Sequence, residues 1–317
     1  MEGLIPLRAV DALDVTILVD NSIDLLMAGA DSVKRLPMVR DWAQREQLIA
    51  EHGFSALLTI QDHGTTRNLL YDAGLGKRTL QHNMEVLGVP LGDVDAVVLS
   101  HGHADHHGGL LGLLETVGKR NMPLILHPDA WRVRKLVLPG GQEADLPPPD
   151  RAKLAAADVR LVEEREPNLA IGDGVLVSGQ VERTTEFEKG FPVQSWRNHT
   201  GLWEPDPWTW DDQAAIVNVK GKGLVVVSGC SHAGIVNILQ SARRLTGVDH
   251  VRGVIGGFHL SGRLFEPIIA PTVNELEQMH PDVLVPGHCT GWKAIHELAR
   301  RMPEAFVQTS VGTVFRF

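Results

Sequence analysis

The segment His101-Gly102-His103-Ala104-Asp105-His106 places three imidazoles and a carboxylate within six positions, and His107 follows at once. It comes straight after the apolar run Ala96-Val97-Val98-Leu99. A His-x-His pair at the end of a strand aims two imidazoles into one cleft. The Asp-His pair behind it, opening a helix or a tight turn, brings two more donors to the same place. Neutral nitrogen and hard oxygen ligands at this density suit divalent cations, and the number of donors suits two of them. Such spacing is rare by chance in a chain with 15 histidines. A merely solvated polar loop would not be framed this way. An apolar strand precedes the segment, and Gly108-Gly109 leads into Leu110-Leu111-Gly112-Leu113-Leu114. Loops held between buried elements are where chemistry concentrates.

Further donors recur at the ends of predicted strands. Alternation predicts strands over 14–20, 54–60, 68–71, 95–99, 123–127, 159–163 and 174–177, with a hairpin turning at Asp62-His63-Gly64. A second hairpin, 214–219 with 224–227, turns at Lys220-Gly221-Lys222-Gly223 and ends in Gly229-Cys230-Ser231-His232. The strands over 251–255 and 283–285 end in Gly256-Gly257-Phe258-His259 and Pro286-Gly287-His288-Cys289. Strand tips on one rim of a sheet converge on one place even when far apart in sequence. Helices are expected over 31–51, 76–87, 110–117, 235–245, 272–279 and 292–302. Residues 136–154, rich in Pro, Gly and charge, and the irregular stretch 180–211 read as loop insertions in a single domain spanning 1–317. The second insertion holds Trp196, Trp203, Trp208 and Trp210, four of the seven tryptophans. They form either a wall over the site or the ordinary packing of a long loop.

Composition narrows the partners. The chain has 317 residues, 43% hydrophobic and 22% charged, as expected of a folded protein with a sizeable core. Its net charge of −9 gives no steering toward phosphate backbones, so nucleic acid is not expected. Gly221-Lys222-Gly223 lacks the spacing of a phosphate-binding loop. Two cysteines, Cys230 and Cys289, make no disulfide framework. The opening Met-Glu-Gly-Leu-Ile-Pro shows no basic region before a long apolar stretch, and no run of apolar residues is long enough to span a bilayer. The expectation is a cytoplasmic protein with a small-molecule substrate, no membrane partner, and a homodimer left open.

The pattern His101-x-His103-x-Asp105-His106 resembles the signature of the metallo-beta-lactamase superfamily. More narrowly, the chain is similar to the branch of 7,8-dihydropterin-6-yl-methyl-4-(beta-D-ribofuranosyl)aminobenzene 5'-phosphate synthases. That similarity is carried by residues 229–237, by Ile255-Gly256-Gly257-Phe258-His259-Leu260 and by His288-Cys289-Thr290-Gly291. Fainter echoes lie at 51–55, 70–74 and 186–188. The resemblance implies an α/β fold, the αβ/βα sandwich of two mixed sheets with outer helices, with the metals at one edge. Two departures stand out. The histidine that such hydrolases carry before the hairpin is missing from Ser178-Gly179-Gln180-Val181-Glu182-Arg183, and Gly229-Cys230-Ser231-His232 stands where a bridging aspartate is usual.

The resemblance thus implies one ion on His101 and His103 with either His232 or Cys230, and a second on Asp105, His106 and His288. Zinc is the leading metal, with iron and manganese as alternatives. Two such ions lower the pKa of water toward neutrality for attack on a carbonyl or phosphoryl centre, with Asp105 as catalytic proton relay. Asp72 is expected to orient a ligand imidazole. His259, and more weakly His52 and Arg183, are expected to contact an anionic substrate, and His107 to be structural. The implied activity is that of a binuclear hydrolase-like enzyme on a small, phosphorylated or pterin-like molecule. Synthase-type condensation, a lactonase or phosphoesterase, a di-iron redox centre and a catalytically silent metal-dependent binding protein are the alternatives.

Overall fold

The computed structural model describes residues 3–118 and 121–317. Met1 and Glu2, part of the N-terminal stretch read above as leader-free, lie outside the described residues. Two large sheets carry the fold. The first runs, in spatial order, Val33–Lys34, Val314–Arg316, Ala12–Val19, Ser55–Asp62, Thr65–Tyr71, Ala96–Val98, Met122–Leu126 and Val159–Glu163. The second runs Asn168–Ala170, Val175–Val177, Ala214–Val219, Gly223–Ser228, Val251–Gly257 and Val283–Gly287. Both are mixed. In each, the hairpin strands pair antiparallel, and the strands that end at the histidines pair parallel to their neighbours.

These strands read as nearly unbroken apolar runs because both faces are covered. Val15, Ile17, Leu58, Tyr71 and Val98 of the first sheet meet Val177, Val217, Val225, Val227 and Ile255 of the second in one core. The alternate residues Leu57, Leu70, Val97 and Leu99 face outward onto Leu80 and Met84 of the helix Thr79–Leu87 and Leu113 of the helix Leu110–Val117. Ile216, Val226 and Val254 pack on the opposite outer face against the helices Ile235–Thr246, Ile269–Met279 and Trp292–Arg301. This is the expected αβ/βα layering. Tyr71 pins the two sheets together: its hydroxyl donates to the Gln213 carbonyl (2.7 Å) and accepts from the Gly229 amide (3.2 Å).

Three expected local structures turn out differently. Residues 31–51 hold no α-helix, only the strand Val33–Lys34 and a 3-10 turn at Trp42–Gln44. Pro37 interrupts any helix there, and only Val33 and Leu48 are buried, so no apolar stripe exists to dock one. The stretches 136–154 and 180–211 carry structure of their own. Strands Arg134–Val137, Glu143–Leu146, Gln194–Arg197 and Trp203–Pro205 form a third, four-stranded sheet, and Arg151–Ala156 is a helix. Cross-strand pairing between segments about 60 residues apart leaves no short-range signature.

No helix among the described residues is long and apolar enough to cross a membrane.

Candidate metal centre

The strand Ala96–Val98 ends in Leu99-Ser100, and the chain then turns through His101-Gly102-His103 into the single-turn helix Ala104–His107. His103 is extended (φ −81°, ψ 144°) at the helix start, so His101 and His103 project to one side while His106 comes back from the first turn. The second sheet supplies the rest. Gly223–Ser228 ends in Gly229-Cys230-Ser231-His232, and Val283–Gly287 ends in His288-Cys289. Several non-glycine residues at these tips take left-handed backbone: Asp72 (φ 59°), Ser231 (58°), His259 (44°) and His288 (46°). Such conformations cost of order 1–3 kcal/mol each and persist only where surrounding contacts impose them.

The imidazoles of His101, His103 and His232 form one set. His103 Nδ1 lies 3.0 Å from His101 Nε2 and 3.2 Å from His232 Nε2. Nitrogens sharing one tetrahedral ion at 2.0–2.1 Å stand about 3.3–3.4 Å apart, so these spacings are close to those of a filled site. A second set is formed by Asp105, His106, Cys230 and His288. Cys230 Sγ lies 3.2 Å from His106 Nε2 and 3.3 Å from His288 Nε2. Asp105 Oδ2 lies 3.3 Å from His288 Nε2 and 3.7 Å from His106 Nε2. Within each set the donor atoms fall within 4.8 Å of one another. The His101 and His106 rings, 4.3 Å apart, join the two sets. His106 and His288, far apart in sequence, have ring centroids 5.1 Å apart.

The outward-facing nitrogens fix the tautomers. His106 Nδ1 donates to Asp72 Oδ2 (2.6 Å), and His103 Nε2 donates to Gln194 Oε1 (2.6 Å). His288 Nδ1 donates to Asn21 Oδ1 (3.3 Å). Ser100 Oγ donates to Asp72 Oδ2 (2.7 Å) and so accepts from His101 Nδ1 (2.9 Å). Each of these rings therefore presents a bare lone pair to the centre. Lone pairs facing each other at 3.0 Å repel unless a cation lies between them. A metal-binding site with His, Asp and Cys ligands is present.

Electrostatics divides the two sets. Burial, reinforced by neighbouring imidazoles, holds His101 and His232 well below the ordinary histidine value; burial and the Arg134 charge bring His103 to about 4. All three are neutral at pH 7, as ligands must be. Burial would also depress His106, but Asp105 and Asp72 outweigh it and lift it to about 9. Burial works against the Asp105 carboxylate too, yet His106 and His288 keep it well below its usual value. This half of the centre favours positive charge, whether a proton or a metal ion.

The sequence left several supports unnoticed. Gln194, on the third sheet, orients His103 and is itself held by the Asp206 carbonyl (3.0 Å) and Thr209 Oγ1 (3.1 Å). Arg134, fully buried on the same sheet, binds Asp206 (2.8 Å) and grips Asp211 with both terminal nitrogens (2.8 and 2.6 Å). Asp211 in turn accepts the Gly102 amide (2.8 Å). Asp212 accepts the Ala233 amide (2.8 Å), and Asp20 accepts that of His288 (2.8 Å). Gly229 must be glycine, because a Cβ there would lie 2.8 Å from both Asp72 Oδ2 and Ser100 Cβ. None of these residues stands at a ligand spacing; only the fold brings them in.

The remaining candidates sit as follows. Asp72 is buried and reaches His106 and Ser100. His52 is exposed at the rim, its Nε2 3.7 Å from Asp105 Oδ2 and its ring 4.9 Å from that of His288. The His259 ring lies 4.2 Å from that of His232. Arg183 donates to the Val181 and Trp208 carbonyls and stacks over Trp210, which ties the loop together. His107 Nε2 donates to the Pro147 carbonyl (3.2 Å). Trp196 and Trp203 lie under Arg132 and Lys135. Among the phenylalanines that reach these imidazoles, Phe191 stacks on His232 at 5.2 Å and 14°, and Phe54 lies 6.4 Å from His288.

Gln194 orients a ligand of the first set, whereas Asp72 holds His106 of the second directly and His101 of the first through Ser100. Gln194→Ala and Asp72→Ala are each expected to weaken metal binding by about 10–100-fold. Competition against a chelating dye reads both, and unchanged affinity in either variant would reject that residue's role.

Comparison with known proteins agrees with this architecture. The family model of the metallo-beta-lactamase superfamily matches residues 51–288. The chain is 29% identical over 295 residues to the 7,8-dihydropterin-6-methyl-4-(beta-D-ribofuranosyl)-aminobenzene-5'-phosphate synthase of Methanocaldococcus jannaschii, covering 90% of this chain and 97% of that protein. An uncharacterized protein of the same organism is 30% identical over 278 residues, 85% of this chain and 94% of its own length. A crystal structure described as a metal-dependent hydrolase of the beta-lactamase superfamily superposes with a TM-score of 0.70 at 24% identity, covering 96% of this chain and 98% of the other. The metallo-beta-lactamase fold protein YhfI from Bacillus subtilis superposes at 0.52 with 14% identity, over 97% and 100% of the two chains. The two facing sheets, the histidine-rich strand tips and the match over residues 51–288 lead to one conclusion: the chain belongs to the metallo-beta-lactamase superfamily.

Proposed function

We propose that this chain is a binuclear metal-dependent hydrolase acting on a small phosphorylated or pterin-like molecule, working as one domain over residues 1–317. The observation that carries the reading is the pair of adjoining donor sets, three neutral imidazoles beside Asp105, His106, Cys230 and His288. Two zinc ions held there would supply an activated water and a Lewis acid for a phosphoryl or carbonyl oxygen. The chain's own residues do the rest. His101, His103 and His232 would hold one ion, and Asp105, His106, Cys230 and His288 the other. Both Cys230 and His232 serve, in different sets. Asp105, ionised and 20% exposed, would face its ion through Oδ2, which lies 3.7 Å from His52 Nε2 at the exposed rim. Phe191, stacked on His232, shields that ligand from water.

The synthase of M. jannaschii, similar over nearly its whole length, favours a second reading in which the same centre drives a synthase-type condensation. Elemental analysis of protein purified without added metal, followed by turnover assays on phosphomonoesters, lactones and pterin phosphates, separates the readings. About two equivalents of metal with hydrolysis of a phosphorylated substrate is the expected outcome. Product formation only when an aminobenzene acceptor is supplied would establish the second reading. Metal without turnover on any substrate would leave a binding protein and overturn both.

A further inference from the structure

Beside the centre lies a third cluster, two of whose three donors the proposed chemistry does not use. Cys230, Cys289 and one ring nitrogen of His259 offer three donor atoms within 4.8 Å of one another. Both thiols are free and buried. Cys289 Sγ lies 3.5 Å from the Cys230 carbonyl, with the Cys230 thiol and the His259 ring beside it. His259 Nδ1 is buried and makes no hydrogen bond among the described residues. Leaving a buried polar atom unpaired costs about 1–3 kcal/mol, so its persistence calls for a ligand. The backbone is shaped around the cluster. His259 takes left-handed φ of 44°, which turns its ring in beside His232. Gly257 leaves the space Cys289 occupies, since a Cβ there would lie 2.6 Å from Cys289 Sγ. Phe191 and Phe265, with centroids 4.9 and 4.4 Å from the His259 ring, wall the outer side with apolar surface.

We infer that Cys230, Cys289 and His259 form a third cation position, selective for a soft, thiophilic ion and joined to the hydrolytic centre through Cys230. Two sulfurs and one imidazole, with no carboxylate, discriminate against hard cations and suit ions that prefer thiolate. Thiolates around one ion at about 2.3 Å stand about 3.8 Å apart, and the donor atoms here lie within 4.8 Å of one another. The Cys230 thiolate has lone pairs to bridge this ion and the one held with Asp105, His106 and His288. Any thiol proton that the ion displaces passes to solvent, and no oxidation state changes. The site shares Cys230 with the proposed four-donor set and so rests on that reading; it does not depend on the identity of the substrate.

The test uses the protein as purified, with its resident metal. Cadmium(II) is added in sub-stoichiometric steps, and bound metals are counted after desalting while thiolate-to-cadmium charge transfer is followed in the near ultraviolet. Wild type is expected to take up one extra equivalent with a two-thiolate band and to keep its resident ions. Cys289→Ser should leave the resident ions in place and weaken cadmium uptake at least about tenfold, with His259→Ala acting likewise. Equal uptake and an equal band in wild type and Cys289→Ser would overturn the proposal. So would one-for-one release of resident metal, or no uptake by wild type. Should Cys289→Ser fail to fold, the band intensity of wild type alone decides between one and two thiolates. Absence of resident metal from wild type would count against the binuclear reading instead.

Discussion

Replacing Arg134 with methionine is expected to destabilise the protein by about 3–5 kcal/mol, the usual cost of removing one partner from a buried ion pair. Arg134 has no exposed side-chain surface, and its guanidinium lies between Asp206 and Asp211. Asp206 retains Arg132 (2.9 Å), but Asp211, wholly buried, keeps among the described residues just the hydrogen bond from the Gly102 amide. Methionine replaces much of the volume, so the loss reports the stranded carboxylate rather than a cavity. The double variant Arg134→Met/Asp211→Asn should recover a large part of it in urea unfolding. A single-variant loss below about 1 kcal/mol would show the pair to be dispensable.

The pH dependence follows from Asp211. Burial raises its pKa, but Arg134 outweighs burial and holds it below the usual carboxylate value. A depressed folded pKa gives stability that is complete above the unfolded value, about 3.9, and lost as pH falls through the folded one. Arg134→Met removes that contribution, so the variant's deficit should be full at neutral pH and shrink in acid.

The second large effect belongs to Asp105→Ala. It removes one donor of four from the Asp105, His106, Cys230 and His288 set and the only carboxylate among them. Its backbone carbonyl still accepts the Phe54 amide, so the turn should survive. Metal content is expected to fall by about one equivalent and turnover by more than about 10³-fold, equivalent to roughly 4 kcal/mol of lost transition-state stabilisation. Asp105→Asn, which keeps the oxygen but not the charge, should fall between alanine and wild type in metal affinity. Full occupancy with full rate in the alanine variant would dismantle the assignment of Asp105.

Much of this was readable in order of sequence. The hairpins around Asp62-His63-Gly64 and Lys220-Gly221-Lys222-Gly223 are local, and turn chemistry beside alternating apolar residues marks them. The cluster at 101–106 is legible for the same reason: four candidate donors within one turn need no tertiary information to be recognised. Cys230, His232, His259 and His288 could be placed at strand tips, because a glycine-flanked His or Cys after a buried run is itself a local pattern. The choice between Cys230 and His232 could not be made there. They sit two residues apart, and the turn through Ser231 at φ 58° sends one to each donor set.

What sequence alone determined was the inventory: which side chains can bind metal, and that they end apolar strands. The folded structure decided which donors face one another, and it turned two apparent loop insertions into a sheet that holds Gln194 against His103 and Arg134 against Asp211. The physical reason is range. Turn propensity and hydrophobic period act over a few residues, whereas an imidazole's partner or a guanidinium's counter-ion is set by packing between segments dozens of residues apart, such as the 77 between Arg134 and Asp211.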